Sequence, residues 1–186
     1  MKKELIAKHA LEVFARDGYH NAKVKSIAEA AGIAVGTIYI YFKSKKEIID
    51  YIFYLEFEKD NSYLDKLEKM NMTPLNKVKK YIEYKFDCVQ EDPNVVKIIM
   101  RDLMPGQKDG NGITLMLMKI IGRVANLMRQ GMINGEIKVS DPNLYAFLLF
   151  RSVQEVSLLQ TSFGVTPNKE KMKDQLIDFY ISGIKA

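Results

Sequence analysis

Apolar residues recur at helical spacing along most of the chain. Val78, Tyr81, Ile82 and Phe86 follow one another at i, i+3, i+4 and i+8, and Val96, Ile99, Met100 and Leu103 at i, i+3, i+4 and i+7. Alternating β-branched runs joined by tight two-residue turns are missing, so the pattern predicts an all-α protein. The prolines punctuate it. Thr73-Pro74, Asp92-Pro93, Asp141-Pro142 and Thr166-Pro167 each pair an N-cap residue with a proline at the first helical position. Pro105-Gly106 is instead a breaker, extended by the polar stretch 108–112. About nine helices are expected near 2–17, 24–31, 35–41, 45–70, 74–91, 93–104, 112–134, 142–163 and 167–184.

The first three helices are short and closely spaced. On the first, Leu5, Ile6, Ala10, Val13 and Phe14 share a face, and Asp17-Gly18 ends it. The second carries a narrow stripe of Val24, Ile27, Ala28 and Ala31, followed by Gly32, a residue free to take the left-handed conformation of a sharp turn. Ile38 and Phe42 of the third point inward, and Ser44-Lys45-Lys46-Glu47 forms a capping box that opens a long fourth helix. Two helices joined by a glycine turn within about 20 residues form the helix-turn-helix arrangement. The same spacing also occurs in other small helical hairpins.

Charge and composition narrow the function. The chain of 186 residues carries a formal net charge of +5, and between residues 23 and 46 five lysines face Glu29 alone. Such a stretch is either a solvated basic face or a surface that meets polyanions, and charge alone does not choose. The longest clean apolar run, Leu144 to Phe150, is far shorter than the roughly 18 residues of a membrane span. Lys8, His9 and Glu12 interrupt the first apolar segment, so no secretory signal is expected. Cys88, the single cysteine, suits a reducing compartment, and a cytoplasmic protein follows. Both histidines, His9 and His20, lie in the N-terminal part with no catalytic partner arrangement, and no metal-ligand spacing stands out. Neither an enzyme nor a cofactor is expected.

Gly18-Tyr19, Val24-x-x-Ile27-Ala28-x-x-Ala31-Gly32-Ile33 and Gly36-Thr37-Ile38-Tyr39-x-Tyr41-Phe42-Lys43-x-Lys45 together resemble the N-terminal domain of the TetR family of transcriptional regulators. The likeness covers roughly residues 2–55, with a weaker echo in Gly131-x-Ile133-x-x-Gly135-x-Ile137. Two positions depart from the family's habit: Ala22-Lys23 stands where Thr-Thr is common, and Ala34 where Ser or Thr usually caps the recognition helix. The resemblance implies a DNA-binding domain at 1–50, with its motif about 23–42, and a ligand-binding and dimerisation domain at 51–186. It also implies the DNA contacts. Lys23 and Lys25 flank the major groove, and Val35, Gly36, Thr37 and Ile40 face it. Tyr39 and Tyr41 offer hydroxyls to phosphates, and Lys43 and Lys45 offer charges. No Arg, Asn or Gln occurs between 22 and 46, so bidentate base reading is limited and thymine-methyl contacts and DNA shape carry more weight.

For the rest of the chain the residues themselves allow two readings. Met100, Met104, Met116, Met118, Met128 and Met132 fill core gaps or line an adaptable site. The family resemblance implies an effector pocket, with Tyr54, Tyr84, Cys88, Met104, Met116, Ile120, Phe147 and Arg151 as candidate lining. The pocket reads as mainly apolar, so the effector is lipophilic. The Gly-Ile-Ala-x-Gly-Thr-Ile-Tyr form of the motif is similar to that of TetR-type regulators of fatty-acid metabolism, which implies an acyl-CoA. Arg101, Arg123, Arg151 and Glu155 need partners if buried, and Arg151 and Glu155 are placed to satisfy one another. The last two helices, almost uncharged between Asp141 and Lys169, are implied to form a homodimer suited to double-stranded DNA with a palindromic operator. The reading is a ligand-responsive homodimeric repressor. The alternative is a helical small-molecule-binding or interaction protein that has lost sequence-specific DNA binding.

Overall fold

The computed structural model describes residues 2–102, 111–163 and 168–186, and side chains within these except at 99–102, 111 and 157–163. The described residues form α1 (Lys2–Asp17), α2 (Val24–Ala30), α3 (Val35–Tyr41), α4 (Lys45–Lys69), α5 (Pro74–Glu91), α6 (Asn94–Asp102), α7 (Asn111–Ile133), α8 (Pro142–Phe163) and α9 (Lys169–Ile184). The all-α architecture is therefore the one the apolar spacing predicts. Two compact units result. The first comprises Met1–Lys59 with Asn94–Met116, and the second Asp60–Pro93 with Leu117–Ala186. Helix α4 thus gives its residues up to Lys59 to the first unit and those from Asp60 to the second.

In the first unit, Ile6, Ala7, Ala10, Leu11, Val13 and Phe14 of α1 are buried. Leu5 is exposed, because the buried arc is centred on Ala7, Ala10 and Phe14 and Leu5 falls on the opposite side of the helix. Gly18, at φ 87°, ends the helix by donating its N–H to the Phe14 carbonyl at 3.0 Å. Gly32 closes α2 at φ 64° in a Schellman arrangement: its own N–H reaches Glu29 O at 3.2 Å and the Ile33 N–H reaches Ala28 O at 3.0 Å. That turn aims α3 so that Ile38 is buried with Ile27 and Ala28, and Phe42 follows it inward. At α4 the Glu47 N–H donates to Ser44 Oγ at 3.2 Å. The Glu47 carboxylate reaches one residue further back than a capping box requires, to the Lys43 N–H at 2.8 Å.

In the second unit the proline rule holds at two starts and shifts at a third. Thr73 Oγ1 accepts from Asn76 N at 3.3 Å with Pro74 at the first turn, and Asp141 Oδ1 accepts from Asn143 N at 2.9 Å. Helix α9 is capped by Asn168, whose Oδ1 accepts from Lys171 N at 3.2 Å, so it begins two residues beyond the predicted start. Thr166-Pro167, Pro105-Gly106 and Met104 lie outside the described residues. Helix α5 packs on α8 and α9, burying Val78, Tyr81, Ile82, Phe86 and Val89.

The Gly131–Ile137 echo has a geometric cause. Gly135, at φ 72°, ends α7 with a second Schellman turn, Gly135 N to Met132 O at 3.1 Å and Glu136 N to Gly131 O at 2.8 Å. The turn folds Ile137 back onto the helix, where a Cβ on Gly131 would stand 2.5 Å from Ile137 Cδ1 and 3.2 Å from its Cβ. The same segment holds the C-terminus: Lys138 N donates to Ile184 O at 2.7 Å and Ala186 N to Glu136 O at 3.1 Å.

Gly131→Ala is expected to lower stability by about 1–3 kcal/mol, because overpacking outweighs the gain in helix propensity of about 1 kcal/mol. Gly122→Ala in the same helix, where a Cβ meets open space, keeps the propensity gain. Urea unfolding midpoints that moved alike for the two variants would contradict the packing argument.

Candidate nucleic-acid interface and effector domain

Helix α3 turns one residue, Ile38, fully into the core and leaves the others outward. Ile40 is 76% exposed and Tyr39 53%, with Val35 and Gly36 also exposed and Thr37 and Tyr41 half-buried. An isoleucine that open to solvent on a seven-residue helix leaves apolar surface with no intramolecular use. Gly36 faces open space, so the backbone there can be approached closely. Lys23 and Lys43 are exposed, and Lys25 makes only a loose contact of 3.8 Å with Glu29, both side chains being well solvated. Neither Lys23, at the cap of α2, nor Ala34, at the cap of α3, provides a side-chain cap bond.

Lys45 is placed differently from the phosphate contact expected of it. Its Nζ donates to the His20 carbonyl at 2.8 Å and the Ala22 carbonyl at 3.1 Å, and lies 4.9 Å from the centre of the Tyr19 ring. An ammonium held by two carbonyls and a ring fixes the α1–α2 connection, and so sets where α2 starts. Lys3 does a similar job at the other end of α1, with its ammonium 5.3 Å and 5.0 Å from the Phe42 and Tyr51 ring centres.

The second unit contains a polar cluster that sequence reasoning missed. Asp60 of α4 and Lys85 of α5 form an ion pair at 2.9 Å, with side chains 8% and 13% exposed. The Lys85 ammonium also lies 5.4 Å from the Phe150 ring centre. Arg123 of α7 reaches α4 at Asn61, Asp65 and Glu68, with bonds of 2.9, 2.7 and 3.2 Å. Tyr63 stacks on Tyr84 with ring centres 3.8 Å apart, and its hydroxyl donates to the Lys80 carbonyl at 3.2 Å. Between these groups Tyr81 is wholly buried, and its hydroxyl has no hydrogen-bond partner among the described residues. Burial, then the nearby Asp60 charge, keeps that hydroxyl protonated far above the ordinary tyrosine range. No sequence signal linked Asp60 to Lys85, since the pair spans 25 positions and two helices.

Of the candidate effector residues, Tyr84 and Cys88 are neighbours on α5. Burial pushes the Cys88 thiol up, and its hydrogen bond with Tyr84 partly offsets this. Ile120 is buried. Arg151 is half-buried and pairs with Glu155 at 3.3 Å, as its spacing predicts, and also with Gln154 at 3.4 Å. Phe147 is exposed, in line with Leu144 and Leu148 on α8. Tyr54 and Met116 belong to the first unit, where Tyr54 is exposed and Met116 half-buried. Met104 lies outside the described residues. Among the described residues no helix is long and apolar enough to cross a membrane.

Residues 6–52 match the family described as bacterial regulatory proteins, tetR family. Over its length the chain is similar to the fatty acid metabolism regulator protein of Bacillus subtilis, at 27% identity across 94% of this chain and 91% of that protein. It is also similar to the transcriptional regulator RutR of Escherichia coli, at 26% identity across 82% and 72%. A solved structure of the Bacillus subtilis regulator FadR in complex with stearoyl-CoA superposes with a TM-score of 0.81, at 26% identity and covering 97% of this chain and 98% of that one. These relatives are transcriptional regulators rather than enzymes. With its glycine-turned reading helix in a basic stretch, a tetR-family match over residues 6–52 and this likeness to regulators along most of its length, the chain is a DNA-binding transcriptional regulator.

Proposed function

We propose that the protein is a homodimeric repressor, working in the cytoplasm, that leaves a palindromic operator when it binds a lipophilic effector, with an acyl-CoA as the effector class. The observation that carries the DNA reading is the outward face of α3, where Ile40, Tyr39 and Val35 are exposed beside Gly36. Ile40, Thr37 and Val35 supply thymine-methyl contacts in the major groove, and Tyr39, Tyr41, Lys23, Lys25 and Lys43 hold the backbone. Lys45 acts through the α1–α2 connection. In this reading residues 1–50 do the DNA work and 51–186 the ligand and partner work.

The dimer reading rests on α8 and α9. Helix α8 has a second apolar face besides its buried one: Leu144, Phe147 and Leu148 are exposed at i, i+3 and i+4, and Phe179 is exposed on α9. A stripe of that kind belongs against a partner, and Phe147 fits it better than a pocket wall. A twofold dimer sets two reading helices about 34 Å apart, one DNA turn. An effector that favours a different spacing draws the population off the operator. Helix α4, which begins in the capping box and continues into the second unit, is the covalent path for that change. The acyl-CoA class is taken from the stearoyl-CoA complex of the Bacillus subtilis relative, with Tyr84, Cys88, Ile120 and Arg151 as candidate lining in the second unit.

Selection from a random duplex library is expected to return a palindrome, and stearoyl-CoA to release the protein from it. Absence of any enriched site would favour the helical binding protein that has lost DNA recognition. Light scattering should give a dimer mass, and Leu148→Glu a monomer with much weaker operator binding; a monomeric wild type would refute the α8–α9 pairing. Operator affinity should fall with salt at a log–log slope of about −0.9 per phosphate contact. Lys43→Ala should flatten that slope by about one unit. Lys45→Ala should leave the slope alone while lowering the melting temperature, and the reverse pattern would restore Lys45 as a phosphate contact.

A further inference from the structure

A buried hydroxyl without a partner calls for an explanation, because phenylalanine would fill the same ring slot without the penalty. Tyr81 is in that position, fully enclosed on α5 with its hydroxyl unbonded. The polar groups around it have partners. Asp60 holds Lys85 at 2.9 Å, Arg123 holds α4, and Tyr63 donates to Lys80 O. The site therefore has one hydrogen-bond donor to spare and needs an acceptor.

We propose that the Tyr81 hydroxyl is the donor that receives the acyl carbonyl oxygen of the effector, in the second unit beside the Asp60–Lys85 pair. This rests on the acyl-CoA reading above and names the atom that is recognised. Charge selects the kind of acceptor. Asp60 and Lys85 already cancel, so a free carboxylate arriving here would be buried without a counter-charge, whereas a neutral thioester carbonyl brings only lone pairs. Burial keeps the phenol protonated, so it remains a donor across the working pH range. Val78, Ile82 and Phe86 of the same helix are apolar and buried, so the surroundings of that hydroxyl are otherwise apolar. Tyr84 and Cys88, both half-buried, mark the side of the cluster that is open to approach.

The test uses the full-length protein, titrated calorimetrically with stearoyl-CoA and with its S-alkyl thioether analogue of equal length, in which a methylene replaces the carbonyl. The wild type is expected to bind the thioester about 10-fold more tightly than the thioether, the worth of one well-made hydrogen bond. Tyr81→Phe should bind both alike, at the thioether level. Its melting temperature should stay equal or rise, since an unsatisfied hydroxyl has been removed; a purely structural tyrosine would show the opposite, lower stability with the ligand preference intact. A thioester preference retained in Tyr81→Phe, or no preference in the wild type, would overturn the assignment and leave the acyl-CoA reading standing. A wild type that binds neither compound would remove both.

Discussion

The burial of Asp60 is the constraint on which the second unit turns. A carboxylate 8% exposed cannot stand alone, because desolvation without a partner costs several kcal/mol. Lys85 answers it from α5, and the pair brings α4 and α5 together at that point. Arg123 then ties α7 to α4 one and two turns further along, through Asp65 and Glu68. The Tyr63–Tyr84 stack adds apolar contact between the same two helices. The second half of α4 is therefore held by paired charges and aromatic contact on two sides.

Backbone turns impose the other constraint. Gly32 and Gly135 use the same device, a left-handed glycine that lets two helix-end carbonyls find donors. Their consequences differ. At Gly32 the chain reverses within a few residues, and α3 can bury Ile38 while exposing Ile40. At Gly135 the chain folds back on α7, and Ile137 occupies the volume that a side chain at Gly131 would need.

The reading helix is economical in its chemistry. It has no side chain able to make a bidentate contact to a base, and its outward surface is methyl groups, hydroxyls and bare backbone. In the proposed reading, such a surface distinguishes sequences by thymine methyls and by DNA shape rather than by a hydrogen-bond code. In the same reading, Lys23, Lys25 and Lys43 around it contribute affinity and its salt dependence.

Periodicity and capping are local, and for that reason the sequence by itself determined the helices and most of their ends. Thr73, Asp141 and Ser44 cap the helices they precede. Asn168 was missed because a Thr-Pro pair two residues earlier carries the stronger local signal. The helix-turn-helix was legible too, since Ala28, Gly32 and Ile38 sit within ten positions of one another. The tertiary structure alone decided the uses of side chains whose partners lie far along the chain. Lys45 reads as a solvent-facing cation until its ammonium is found on the carbonyls of His20 and Ala22. Lys85, Asp60 and Tyr81 read as ordinary members of amphipathic helices, because a charge pair between helices, or the lack of a partner for a hydroxyl, is a property of packing that no local pattern encodes.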